Sequence, residues 1–231
     1  MKQHIAEQSV TPQLLKKIAP DVVSSQGQEK LMANAVMASK VKGLLDKALG
    51  LAADKLGGKS SSRIKSIETT MKKIGTKRLE HRDYHIDDIN DTIGGRISVE
   101  KDSDIPLAEK EVDQMGKTGL FKIKKKQDVN VGTYNARHID VEFPNGTNGE
   151  IQLMTHQQEA TSLVNHDLRA LHGENPPPLV KSLQEKQAKI TGKMPNDKAK
   201  TFSHALAALH QATDGQPVSP EITTQMLNAY K

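Results

Sequence analysis

The chain has 231 residues, 35% hydrophobic and only 3% aromatic, which fits one generous domain, or one with helical additions, built on Ile, Leu, Val, Ala and Met. A formal charge of +5 favours polyanionic partners, from nucleotides to RNA, although an ordinary basic surface reads the same way. The lack of cysteine excludes disulfide and thiolate chemistry, and no apolar run approaches the ~20 residues of a membrane span.

Met1 to Glu7 lacks the apolar stretch of a signal peptide, so the expected location is the cytoplasm, or a target cell's cytoplasm after export without one. Residues 1 to about 57 read as helical: Leu14, Leu15 and Ile18 keep helical spacing, and Leu31 to Leu56 is rich in Ala, Leu, Met and Lys. Gly57 to Ser62 reads as a break. Ala53 to Ser60 ends like a phosphate-binding P-loop, but alanine holds the first glycine position and no strand precedes it, so it is taken as a linker. A helix from about Ser62 to Ile74 then carries Arg63, Lys65 and Lys73, and residues 75–87 read as a polar loop. Arg96 to Glu100 alternates like a strand, and 104–118 is helical again.

Leu120 to Lys124, Arg137 to Phe143 and Gly149 to Met154 are three short strands. The turn chemistry of Pro144 to Gly149 joins the last two as an antiparallel hairpin. Residues 156–172 return to helix, Pro176 to Pro178 stop it, and two or three helices punctuated by Pro195, Gly215 and Pro217 finish the chain. The expected division is a helical region at 1–57, a core at 58–173 and a helical region at 174–231. The class is α/β or α+β.

Asp88-Ile89-Asn90-Asp91 reads alone as turn capping. It gains weight from Glu150, which opens a later strand where charge is unusual. Two carboxylates from neighbouring strands suit Mg²⁺, which keeps several waters and takes its other ligands from substrate phosphates. Arg63, Lys65, Lys72, Lys73 and Arg96 are either a solvated helical face or a grip on phosphates at a helix start. Lys124 to Lys126 reads as a solvated run or one weakly attractive to nucleic acid. Tyr134, beside Gly132 on a predicted loop, is suited to stacking on a base, and His138 follows four residues later. His81, Asp83 and His85 lack a matching partner group and are not taken as a metal site, and His166-Asp167 does not amount to a hydrolase pair. Asn145-Gly146-Thr147 is discarded as a glycosylation acceptor.

In this order the fragments resemble the synthetase domain of the RelA/SpoT family, the alarmone (p)ppGpp synthetases. The segments that carry the likeness are Arg63 to Ser66, Asp88 to Arg96, Gly132 to His138 and Glu150 to Thr155, with His166 beyond them. The resemblance implies a nucleotidyltransferase-like mixed sheet of about five strands flanked by helices, with helical extensions at both ends. It implies transfer of the β,γ-pyrophosphate of ATP to the 3′-hydroxyl of a guanosine nucleotide. Asp91 and Glu150 then hold Mg²⁺, and Glu150 helps deprotonate the attacking hydroxyl. Arg63 and Arg96 bracket the ATP adenine and triphosphate, with Lys65, Ser66 and Lys73 on phosphates. Tyr134 stacks on the acceptor base, and His138 and Gln152 contact the acceptor.

Two departures fall on the acceptor side: Asn135 and Met154 stand where the family carries arginine. Donation is therefore expected to survive while the acceptor stays open among guanosine nucleotides, adenosine nucleotides (ppApp-type products) and the 3′ end of tRNA. Toxin-like relatives imply a toxin or effector role and an immunity or antitoxin protein as partner. The rival from another class is an inactive nucleotide- or RNA-binding module, against which the two carboxylates argue.

Overall fold

The structure, a computed structural model, describes residues 10–80, 83–131, 133–172, 177–213 and 216–230. Expectations that fall on Met1 to Glu7, His81, Gly132, Pro176 and Gly215 lie outside the described residues. Three helices open the chain: α1 (Pro12–Ile18), α2 (Pro20–Val23) and the long α3 (Ser25–Lys55). Ser24 starts α3 by accepting a hydrogen bond at Oγ from the Gly27 amide. Then follow β1 (Lys59–Ile64), α4 (Ile67–Glu80), β2 (Ile93–Val99) and α5 (Ile105–Lys117). The strands β3 (Lys122–Val131), β4 (Tyr134–Glu142) and β5 (Asn148–Thr155) come next, and α6 (His156–His172), α7 (Pro178–Thr191), α8 (Asn196–Ala212) and α9 (Pro220–Ala229) close the chain.

The five strands form one mixed sheet in the order β1-β2-β5-β4-β3. Only β2 and β5 run parallel; the other neighbours are antiparallel, including the expected β4–β5 hairpin. This is the mixed α+β class anticipated, a five-stranded sheet flanked by helices.

Alternation along the strands gives the sheet two unlike faces. Ile93, Ile97 and Val99 of β2, Ile139 and Val141 of β4, and Ile151 and Leu153 of β5 share the apolar face. Leu45, Leu49, Ala52 and Ala53 of α3, with Ala108, Val112 and Met115 of α5, cover it. The long N-terminal helix is thus part of the central core. A second apolar cluster ties Ala160, Val164 and Leu168 of α6 to Phe202 and Leu206 of α8 and Leu227 of α9.

The segment after α3 differs from expectation. Gly57 turns the chain at φ +63°, and Lys59 then begins an edge strand instead of a linker. A serine run has little strand preference of its own, so the order comes from pairing with β2. That pairing brings Gly58 so close to β2 that a Cβ there would lie 2.5 Å from the Ser98 carbonyl oxygen. The helix expected from Ser62 begins at Ile67 and runs on to Glu80, through part of the predicted 75–87 loop. Ser66 caps it: its Oγ accepts from the Thr69 amide at 3.1 Å. Arg63 therefore ends a strand, and Lys65 lies in the connection between strand and helix. Tyr134, expected on a loop, opens β4.

Candidate active site

The face of the sheet opposite α3 is polar, and strand register decides which side chains meet there. Across β1, β2, β5 and β4, one row runs Arg63, Gly94, Glu150, Asp140. The next runs Ser61, Arg96, Gln152, His138. Residues two apart on a strand share a face, so both rows look the same way. Gly94 leaves a gap between Arg63 and Glu150.

Asp91 sits two residues ahead of β2, in a segment tied to β1 by the Lys65 amide, which donates to the Thr92 carbonyl at 3.0 Å. Its Oδ2 receives two ammonium groups: Lys65 from the β1–α4 connection, in a short contact, and Lys73 from α4 at 2.9 Å. Its other oxygen, Oδ1, is buried with no hydrogen-bond partner. Burial opposes ionisation, but the charges and hydrogen bonds of Lys65 and Lys73 outweigh it and hold the Asp91 carboxyl below the usual range.

Glu150 uses both oxygens. Oε2 pairs with His138 Nδ1 at 2.9 Å, and Oε1 accepts from Gln152 Nε2 at 2.8 Å. Burial again opposes ionisation; the His138 and Gln152 contacts override it, while the nearby Asp91 charge pushes the other way, leaving the carboxyl below its ordinary value. Asp91 and Glu150 are thus close enough to feel each other. Arg63 feels both: burial and the like charge of Arg96 lower its pKa, and the two carboxylates resist that shift.

A carboxylate only accepts, so His138 Nδ1 carries the proton towards Glu150. Its Nε2 and the Tyr134 hydroxyl share a hydrogen bond at 2.6 Å, with the donor set by the imidazole's protonation. The Tyr134 ring stands edge-on to the imidazole, with centroids 5.7 Å apart at 88°. On the other side Arg96 donates from Nη2 to Gln152 Oε1 at 3.0 Å and approaches Glu159 of α6 at 3.6 Å. A hydrogen-bonded line therefore crosses the face from Arg96 through Gln152, Glu150 and His138 to Tyr134, and the ion pair with Glu159 extends it at the Arg96 end.

The structure thus gathers Asp91, Glu150, Arg63, Lys65, Lys73, Arg96, Gln152, His138 and Tyr134. Ser66 stands beside them with its hydroxyl engaged in the first turn of α4, where it also contacts Thr69 Oγ1 at 2.8 Å. Of the two departures, Met154 is fully buried one step beyond Gln152 on the same face of β5, opposite Ser98, and Asn135 is exposed on the β3–β4 hairpin next to Tyr134. Of the lysine run, Lys126 is bound by Glu109 and Asp113, and Lys124 by Glu142, so little of it is free for polyanions. A groove of about 580 Å³ bordered by Lys186, Lys189, Lys193 and Met194 is lined by none of the site residues.

Sequence reasoning missed Asp140 and Glu159. Asp140 faces Glu150 directly, and burial followed by the Glu150 charge raises its pKa. The hairpin turn fixes that pairing, so a charge alternating with His138 on a predicted strand was the available signal. Glu159, 4% exposed, accepts from Ser98 Oγ at 3.0 Å and gave no signal, because it appears only as a polar residue one turn into a helix.

The donor set suits Mg²⁺. Its atoms are hard carboxylate oxygens, and the buried Oδ1 of Asp91 lacks a partner. No group of three or more His, Asp or Glu among the described residues could hold a metal alone. No helix among the described residues is long and apolar enough to cross a membrane.

Residues 62–174 match the protein-family model described as the region found in RelA / SpoT proteins. No curated protein sequence matches the chain. Among solved structures, small alarmone synthetase 1 from Bacillus subtilis is similar at 18% identity and TM-score 0.56, over 79% of this chain and 97% of that one. A GTP pyrophosphokinase family protein from Streptococcus pneumoniae is similar at 19% identity and TM-score 0.54, over 89% and 98% of the two chains. The Bacillus subtilis synthetase 1 bound to AMPCPP is similar at 16% identity and TM-score 0.55, over 80% and 100%. At this identity the likeness establishes the fold. The family match places residues 62–174 in the RelA/SpoT family, and the solved structures show that the chain has the fold of the small alarmone synthetases.

Proposed function

We propose that the protein is an ATP-dependent pyrophosphokinase acting on a purine nucleotide, with guanosine and adenosine nucleotides as the acceptor classes. The observation that carries this reading is that Asp91, just ahead of β2, and Glu150, on β5, lie within electrostatic reach of each other and of Arg63, with Lys65 and Lys73 on Asp91 and Arg96 linked to Glu150 through Gln152. Phosphoryl-type transfer asks a protein mainly for positioning and charge. In the proposed reaction the acceptor 3′-oxygen attacks the β-phosphorus of ATP. The bond from that phosphorus to the α,β-bridging oxygen breaks, AMP leaves, and the hydroxyl proton passes to Glu150.

Arg63 and Arg96 flank the donor, and Lys65 and Lys73 turn from Asp91 to the phosphates. Tyr134 offers its ring to the acceptor base, while the His138 Nδ1–H keeps the Glu150 carboxylate oriented beside the acceptor. Mg²⁺, when held by Asp91 and Glu150, supplies charge neutralisation to the phosphates.

The test incubates the protein with γ-labelled ATP and GTP, GDP, ATP, ADP, AMP or tRNA, and resolves the products. Label on a free purine nucleotide, lost with Glu150→Gln, is the expected result. Label on tRNA alone would move the acceptor to the tRNA end. Label left only in ATP and inorganic phosphate would sink the transferase reading. A toxin or effector role predicts growth arrest on expression in cells, relieved by the same Glu150 substitution.

A further inference from the structure

The C-terminal helices reach the acceptor side through one buried amide. Asn165 of α6 is 5% exposed and uses both ends of its side chain. Its Nδ2 donates to Thr133 Oγ1 at 2.7 Å, and its Oδ1 accepts from Gln184 Nε2 of α7 at 3.1 Å. Thr133 lies in the connection between β3 and β4, immediately before Tyr134.

The β3–β4 pairing of Val131 with Tyr134 closes the hairpin, and the described side chains at its tip lie on the surface. Val131 is 66% exposed, and Thr133 and Asn135 are also exposed. At its other end the Tyr134 hydroxyl is fixed by His138, which is fixed in turn by Glu150. The ring is therefore held between two anchors. One belongs to the catalytic face, and the other is borrowed from α6 and α7. A buried amide whose partners are removed pays a desolvation penalty, so the Asn165 contacts are specific restraints on the loop.

We propose that Asn165 and Gln184 are positioning residues for the acceptor: by pinning Thr133 they set where the Tyr134 ring stands, which gives the C-terminal helices a part in acceptor binding. The inference deepens the pyrophosphokinase reading and rests on it for the acceptor. The donor residues Arg63, Lys65 and Lys73 stand on β1, the β1–α4 connection and α4, outside this chain of contacts. Loosening Thr133 should therefore separate acceptor from donor.

Full-length wild type is compared with Asn165→Leu, which removes both bonds at similar volume, and with Thr133→Val and Thr133→Ser on the exposed side. Hydrogen–deuterium exchange reads the loop without reference to activity. The amides of 131 and 133–136 should exchange faster in Asn165→Leu and Thr133→Val, with 59–64 unchanged, and Thr133→Ser should behave as wild type. In kinetics, the acceptor KM should rise about tenfold while the ATP KM stays within about twofold. Unchanged exchange, equal rises in both KM values, or Thr133→Val matching Thr133→Ser would overturn the inference. Should wild type use no acceptor at all, the functional reading falls, and the exchange result alone still decides whether the loop is pinned.

Discussion

At Asp91 two ammonium groups occupy the carboxylate that the proposed function assigns to a metal. A divalent ion arriving alone has to displace Lys65 and Lys73 from a partly buried site and leave their charges without a partner. Arriving with a triphosphate, it brings the lysines a new anion. The protein should therefore bind Mn²⁺ weakly by itself and at least about tenfold more tightly with AMPCPP present, as read by electron paramagnetic resonance of free Mn²⁺. Lys73→Met should narrow that gap by tightening the nucleotide-free binding; equal wild-type affinity with and without AMPCPP would refute the exchange. The same pair sets a pH dependence. A carboxyl held below its ordinary value contributes stability that is present above about pH 4, the unfolded value, and lost as pH falls through the lowered one. Wild type should thus unfold at a higher temperature than Asp91→Asn at pH 7, with the difference shrinking below about pH 4 in thermal melts.

The elements that position these residues differed in how plainly the sequence announced them. The β4–β5 hairpin was legible because its strands alternate and Pro144 to Gly149 is unmistakable turn chemistry, and with it came Glu150 and Gln152. β1 was not legible. Lys59-Ser60-Ser61-Ser62 has neither β-branching nor alternation, and its order is imposed by β2 and by a glycine that lets the backbones touch. Arg63 was therefore recognised as a site residue but placed on the wrong kind of element. The role of α3 was equally hidden, since a helical pattern shows an apolar stripe without naming the surface it covers. Two substitutions test these placements in denaturant unfolding. Gly58→Ala forces a shift against the Ser98 carbonyl and should cost about 1–3 kcal/mol. Leu49→Ala, at a fully buried site on α3, should cost about 2–5 kcal/mol if that helix belongs to the core. A loss under about 1 kcal/mol at Leu49 would mark α3 as an appendage.

Across the whole molecule, one hydrogen-bonded line runs along the polar face, and in the proposed reaction it would join the donor side to the acceptor side with Gln152 as its middle link. Its Oε1 holds Arg96 at 3.0 Å while its Nε2 holds Glu150 at 2.8 Å, so one amide orients both the cation proposed to meet the donor and the carboxylate proposed to meet the acceptor. Beyond Arg96 the line is anchored by Glu159 of α6, and beyond Glu150 it ends at Tyr134. A nucleotide that draws Arg96 towards its phosphates alters one bond of the amide and must strain or release the other. Donor and acceptor should therefore bind cooperatively, and linkage requires the effect to be the same whichever binds first. In calorimetric titrations, AMPCPP should change the affinity of the preferred acceptor by about fivefold or more, and the acceptor should change AMPCPP affinity by the same factor. Gln152→Leu keeps the strand register but cuts both bonds, so each ligand should still bind while the mutual effect falls towards one. If the coupling survives that substitution undiminished, it travels by another route, such as direct contact between the two ligands.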